Sequence, residues 1–95
     1  MHLVYLPAAA QDLMWLRHYY ERAFPQGARA ARARILAAER LILDNPHIGR
    51  PTHRSDVRRL PITRTPFFIL YRPTPERIEI LRVIDGRSFD GMVEG

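Results

Sequence analysis

The chain has 95 residues and a formal net charge of +5, all 15 of its basic side chains are arginine, and it contains no cysteine. This length predicts one domain, residues 1–95, with a single modest core, and the missing cysteines exclude disulfides and thiolate chemistry. Neither a run of 18 apolar residues nor a signal peptide is found, so we expect a cytoplasmic protein without a membrane partner.

The first half of the sequence predicts one strand and two helices. Alternating β-forming residues predict a short strand over His2–Leu6. Apolar residues at helical spacing predict a helix over Ala8–Phe24, in which Trp15 is expected to pack into the core, with a position in the groove of a partner as the alternative. After the helix-breaking PQG sequence, a second helix is predicted over Ala28–Asp44, and the two helices form an antiparallel hairpin. One face of the second helix is expected to meet the core through Ala28, Ala31, Ile35, Ala38 and Ile42.

The second half predicts three strands, over Val57–Ile62, Phe67–Arg72 and Arg77–Asp85. The segment between the helix and these strands contains Gly49–Pro51, which is expected to fix a loop. The whole order predicts an α+β fold: an N-terminal strand, an antiparallel helix hairpin, then a three-stranded antiparallel β-meander, with the helices on one sheet face.

The last two strands suggest a binding surface on the sheet. A four-residue turn between them would place Arg72 opposite Arg77 and Phe67 opposite Arg82. The sheet face turned away from the helices would then still carry several apolar side chains, namely Phe68, Leu70, Leu81 and Val83. An apolar face bordered by arginines is typical of a contact surface, because guanidinium groups pair with carboxylates and phosphates. The alternative is an ordinary sheet with solvated arginines.

Seven residues are therefore candidates for binding a partner or target: Arg58, Arg59, Phe68, Arg72, Arg82, Asp85 and Arg87. Arg58 and Arg59 are adjacent in a strand and point to opposite faces, so at most one is expected to reach the partner. Asp85 either orients Arg87 through an ion pair or makes a routine turn contact. The four histidines lack the spacing of metal ligands, and no metal or cofactor is expected.

Five segments in the same order resemble the RelE/ParE superfamily, the toxins of type II toxin–antitoxin systems: AAAQDL, NPHIGRP, VRRLPI, FFILYR and IEILRVIDGR. The resemblance implies a cognate antitoxin, expected to be a ParD-like ribbon-helix-helix protein with an acidic tail. RelE-like members are ribosome-dependent messenger ribonucleases, whereas ParE-like members inhibit DNA gyrase.

The catalytic positions of the ribonuclease branch are mostly not kept. That branch has an arginine early in the third strand, where this chain has Phe68, and a tyrosine near the position of Val93. Arg87 matches its arginine after the fourth strand. We therefore expect a ParE-like inhibitor of DNA gyrase and not an enzyme, with a ribosome-dependent mRNA endoribonuclease as the alternative.

Direct nucleic-acid binding is not expected. The strands lack the interleaved aromatic residues of an RNA-stacking platform, although Phe67, Phe68 and Tyr71 come near one. A nucleic-acid-binding module without toxicity is the third and weakest reading of the sequence.

Overall fold

A computed structural model describes residues 1–87, in which two helices pack on one face of a five-stranded sheet. The first half contains β1 (His2–Tyr5), α1 (Pro7–Ala23), a 3-10 turn (Pro25–Gly27) and α2 (Ala28–Asp44). The second half contains β2 (Arg50–Pro51), β3 (Arg58–Pro61), β4 (Phe67–Pro73) and β5 (Arg77–Asp85). Within residues 1–87, no helix has the length and apolar character needed to cross a membrane.

The strands lie in the order β1-β5-β4-β3-β2, and the predicted α+β architecture is confirmed. The N-terminal strand β1 runs parallel to β5, and the other neighbours are antiparallel. β2 is not among the strands predicted from the sequence, because two residues are too few to show alternation. Arg50 and Pro51, predicted as loop, pair with Arg59 and Arg58 at the sheet edge.

The core lies between the helices and the central strands. The predicted stripe of α2 is buried, except that Ala28 is only half-buried at the start of the helix. α1 contributes Ala9 and Leu16 to the same core. The prediction that Trp15 packs into the core is wrong, because its side chain is 57% exposed. Trp15 precedes Leu16 by one residue, so the helical turn carries it away from the buried face.

The predicted register of the β4–β5 hairpin is wrong by two residues at the turn. The Thr74 N–H donates to Arg77 O, and the Thr74 hydroxyl accepts from the Arg77 N–H and donates to Arg77 O. These bonds close the turn around only two residues, Pro75 and Glu76. Arg72 therefore lies opposite Glu79 and not opposite Arg77. Both registers keep Ile69 and Tyr71 on the core face, since a shift of two preserves alternation.

A β-bulge shifts the register again further along the hairpin. Tyr71 lies opposite Ile80, but Leu70 lies opposite Arg82, so Leu81 is the extra residue of β5. Beyond a bulge the alternation of side chains is inverted. As a result Val83 joins the core beside the helices, whereas the sequence analysis placed it on the opposite face.

Candidate partner-binding surfaces

An open groove lies between the two helices. This helix groove has a volume of about 650 Å³, and small residues of both helices, Ala10, Ala28 and Ala31, are part of its lining. Met14 and Leu36 line it with side chains that are 59% and 52% exposed. Large apolar side chains exposed on facing walls are typical of a surface that binds an apolar partner segment.

The floor of the helix groove is held by a hydrogen bond between β1 and α2. The Tyr5 hydroxyl donates to Glu39 Oε2 over 2.6 Å. Burial, together with this carboxylate, raises the pKa of Tyr5 well above its ordinary value. Because the phenol stays protonated, the bond persists across the physiological pH range.

Charged side chains of both signs surround the helix groove. Its arginines outnumber its glutamates by three to two, and they are Arg17, Arg29 and Arg32 against Glu21 and Glu39. In the part of the chain that the structure describes, none of these arginines forms an ion pair. They remain available to carboxylates of a partner.

Three of the candidate arginines are occupied by contacts within the fold. Arg72 and Arg77 both bind Glu79, at 2.7 and 2.8 Å, and the Arg72 hydrogen bond is the main cause that lowers the pKa of Glu79. Arg82 pairs with Asp12 of α1 at 2.7 Å. Arg58 donates to the carbonyl oxygens of two loop residues, His47 and Gly49, over 3.2 and 2.8 Å.

Asp12 also completes the hydrogen bonding of β5 where β1 ends. The last backbone bond of this edge runs from the Leu6 N–H to Ile80 O. Beyond it, the carboxylate of Asp12 accepts the N–H of Val83 over 2.9 Å as well as the guanidinium of Arg82. A side chain thus takes the role of the missing strand residue, and Arg82 serves first to hold α1 against β5.

Phe68 is a core-like residue and not an exposed binding residue. Its side chain is only 3% exposed, and the guanidinium carbon of Arg59 lies 4.4 Å from the centre of its ring. This is the geometry of a cation–π contact. Arg59 and Phe68 therefore act as a pair in the described chain, with the arginine covering the ring.

Arg87 is the most exposed candidate, and it lies in a cluster of aromatic side chains. Its guanidinium forms a bidentate pair with Asp85, at 2.8 and 3.1 Å, and its side chain is 66% exposed. The hydrogen bond with Asp85 and the neighbouring Tyr19 both raise its pKa. Tyr20 is close enough for Arg87 to act on its pKa, which burial raises overall.

Trp15 extends this cluster along α1. Its ring stacks on that of Tyr19 with centroids 5.4 Å apart and planes within 10°. Its edge meets Phe67 at 6.5 Å. We name Trp15, Tyr19 and Arg87 the aromatic patch.

The fold therefore separates the predicted candidates and adds others. Arg58 and Arg59 lie on β3, and Phe68 lies on the neighbouring strand β4. Arg82 lies on β5 beside α1, and Arg87 belongs to the aromatic patch. Tyr19 and Tyr20 could not be predicted as neighbours of Arg87, because 68 and 67 positions of the sequence separate them from it. The only signal in the sequence was the spacing of Trp15 and Tyr19 by one helical turn.

Comparison with known proteins agrees with this architecture. A family model described as the ParE toxin of the type II toxin–antitoxin system parDE matches residues 3–88. Among solved structures, the chain is similar to one described as the chromosomal ParDE TA system from P. aeruginosa, with 31% sequence identity and a TM-score of 0.73. The similarity covers 90% of this chain and 95% of that chain. No curated protein sequence matches the chain.

Proposed function

The chain belongs to the ParE toxin family of type II toxin–antitoxin systems, and on this premise we propose that it inhibits DNA gyrase by binding to the enzyme in the cytoplasm. Membership makes it the toxin component of such a system, with a cognate antitoxin as partner. We propose further that this antitoxin is ParD-like, a ribbon-helix-helix protein whose acidic tail covers the toxin.

The helix groove supports this mode of neutralisation. Its open apolar walls can accept one face of an amphipathic helix, as in other helix-in-groove complexes. Its arginines, Arg17, Arg29 and Arg32, form no ion pair within residues 1–87 and can meet acidic residues of the tail. Arg58, Arg72 and Arg82 were also candidates for this role, but each would first have to leave a partner within the fold.

The choice of gyrase over RNA cleavage rests on one observation, the identity and burial of the residue at position 68. The ribonuclease branch has a cation there, whereas this chain has a phenyl ring that is 3% exposed. Within residues 1–87, the residues that interact with Arg87 are Asp85, Tyr19 and Tyr20, and burial raises the pKa of Tyr20. A tyrosine with a raised pKa is a poor general base at neutral pH.

One contact favours the ribonuclease alternative. Arg59 places its guanidinium 4.4 Å from the Phe68 ring, so a cation does lie next to the position where the ribonucleases have one. Together with Arg87 it could stabilise the charge of a cleaved phosphodiester. Within residues 1–87, no group suited to take the proton of the 2′-hydroxyl lies beside Arg87, and acid–base catalysis contributes about 10²–10⁴-fold.

The two functions are separated by one experiment with two arms. Purified toxin is added to gyrase in supercoiling and cleavage-complex assays, and in parallel to ribosomes that carry a defined message. We expect stoichiometric inhibition of gyrase and an intact message. Codon-specific cleavage of the message without an effect on gyrase would establish the ribonuclease instead.

A further inference from the structure

The aromatic patch has the properties of a contact surface, and its rings belong neither to the core nor to the helix groove. Trp15 is 57% exposed although its ring is fixed, with one stacked contact to Tyr19 and one edge contact to Phe67. Holding a large ring in a defined orientation at the surface keeps apolar area in water without contributing to the core. A flat, ordered and exposed ring is therefore suited to stack on a flat ligand.

Two arginines that form no ion pair within residues 1–87 lie near the patch. Arg22 follows Tyr19 by three residues on α1, which places it on the same helix face. The Gly86 N–H donates to Pro66 O over 2.8 Å, and this bond brings the loop with Arg64 next to the end of β5. Arg22 and Arg64 are exposed and form no ion pair within residues 1–87.

Two further observations mark the same end of the molecule. Arg64 has a φ of 62°, a conformation that non-glycine residues rarely adopt and that is found disproportionately at functional sites. Of the residues that the structure describes, the two carboxylates along this side of α1 and β5 are already neutralised, Asp12 by Arg82 and Asp85 by Arg87. Within residues 1–87, the surface around the stacked rings therefore carries a net positive charge.

We propose that the aromatic patch binds a single strand of nucleic acid, with one base stacked on Trp15 and the adjoining phosphates bound by Arg22 and Arg64, and by Arg87 through N–H groups that its pair with Asp85 leaves available. Bases stack on aromatic side chains irrespective of sequence, and guanidinium groups bind phosphate in a bidentate manner. An acidic protein segment would satisfy the arginines but would leave the flat ring surface without a matching partner. This site is additional to gyrase binding and does not depend on it.

The proposal departs from the expectation that the chain does not bind nucleic acid directly. That expectation considered aromatic residues on the strands, and Phe67, Phe68 and Tyr71 are indeed buried, with 3%, 3% and 0% exposure. They cannot stack on a base. The exposed ring of Trp15 lies instead on a helix, where strand alternation does not reveal it.

Trp15 is the only tryptophan of the chain, so intrinsic fluorescence reports directly on the patch. Full-length toxin separated from its antitoxin is titrated with short oligo-dT and oligo-U at low salt. We expect quenching that saturates, and an affinity that falls with salt at a logarithmic slope of about −1.4 if two phosphates are bound. Tighter binding of oligo-dT would assign the site to DNA, and tighter binding of oligo-U would assign it to RNA.

Variants distinguish the site from general attraction of a basic protein to a polyanion. Binding of labelled oligonucleotide is followed by anisotropy, and circular dichroism verifies the fold of each variant. Trp15→Ala should weaken binding at least about fivefold, and Trp15→Phe should restore part of it. Arg87→Gln should reduce the salt slope by about 0.7, whereas Arg40→Gln, the same charge change at an exposed position of α2, should change the affinity much less.

Three results would overturn the proposal. The first is the absence of quenching and of an anisotropy change at low salt. The second is equal weakening by Arg40→Gln and Arg87→Gln with no effect of Trp15→Ala, which would leave only unspecific attraction. The third is quenching by gyrase protein but not by either oligonucleotide, which would assign the patch to a protein partner.

Discussion

The Tyr71 hydroxyl is bound directly to the backbone of Gly49. The Gly49 N–H donates to Tyr71 Oη over 2.8 Å, and the same hydroxyl donates to Pro46 O over 2.8 Å. A completely buried side chain of β4 thus holds the loop that follows α2. Arg58 binds the same loop from the other side through the carbonyl oxygen of Gly49. The sequence segment NPHIGRP is therefore shaped by one tyrosine and one arginine of the sheet.

Gly49→Ala should destabilise the protein by about 1–3 kcal/mol, because the added methyl group has no room. A Cβ at this position would lie 2.7 Å from Tyr71 Oη and 2.8 Å from a ring carbon. Gly27→Ala is the matched control, since its Cβ would meet no atom closer than 3.6 Å. Urea unfolding of both variants measures the difference, and equal stabilities would contradict the close approach.

Tyr71→Phe should also destabilise the protein by about 1–3 kcal/mol, in this case because the substitution removes a hydroxyl group and its hydrogen bonds. The buried Gly49 N–H would lose its acceptor, and an unsatisfied buried donor is costly. Tyr20→Phe is the control, because the Tyr20 hydroxyl makes no hydrogen bond within residues 1–87. If the two tyrosine variants unfold at the same urea concentration, the Tyr71 hydroxyl does not hold the loop.

Ile35→Asp should unfold the domain or cost more than about 4 kcal/mol, since it places an unpaired charge in the core. Ile35 is 9% exposed and belongs to the core cluster. The adjacent Leu36→Asp introduces the same charge where the side chain is 52% exposed, so it should fold normally. Thermal unfolding of the pair tests which face of α2 meets the sheet. A folded Ile35→Asp variant with the melting temperature of the parent would refute the packing described here.

Leu36→Asp should nevertheless weaken binding of the antitoxin, at least about tenfold, if the antitoxin lies in the helix groove. The substitution replaces an apolar wall by a carboxylate that would face an acidic tail. Calorimetric titration with purified antitoxin gives the affinity. Leu41→Asp serves as control, because Leu41 is 46% exposed and does not line the groove. Equal affinities of the two variants would place the antitoxin elsewhere.

The ion pairs of Glu79 should make stability depend on pH in acid. Arg72 first, and then Arg77, lower the pKa of Glu79 below its ordinary value of 4.5. Its contribution is therefore complete above pH 4.5 and is lost as the pH falls through the lower pKa of the folded state. The melting temperature of the parent should exceed that of Glu79→Gln at pH 6, and the gap should close below pH 4.5. Glu76→Gln, in the adjacent turn, controls for the loss of a charge.

Much of the fold could be predicted because local periodicity and the core agree. The α2 stripe from Ala31 to Ile42 is buried as predicted, and the predicted limits of α2 and β5 match those of the structure. The register of the β4–β5 hairpin could not be predicted in this way. It depends on the Thr74 hydroxyl, which closes a short turn, and on the bulge at Leu81, and neither changes the pattern of apolar residues.

The candidate sites were harder to predict than the fold, because arginine in a sheet has several uses. The sequence favours Arg72 and Arg82 as binding residues, yet in the structure they pair with Glu79 and Asp12. The Asp12 contact joins residues 70 positions apart and has no local signature. Trp15 was placed in the core on the general preference of large aromatic residues for burial. That preference does not identify the helix face.

The position of β5 determines when the sheet can form during synthesis. β5 lies between β1 and β4 in the sheet and so joins its two sides. In the chain, β5 comes after every other described element. While the ribosome is still making β4, His2 has no partner, since that partner is Arg77. Contacts of such large sequence separation form late. The groove floor includes Tyr5 of β1, so we expect the nascent chain to complete the helix groove only after β5 has left the ribosome.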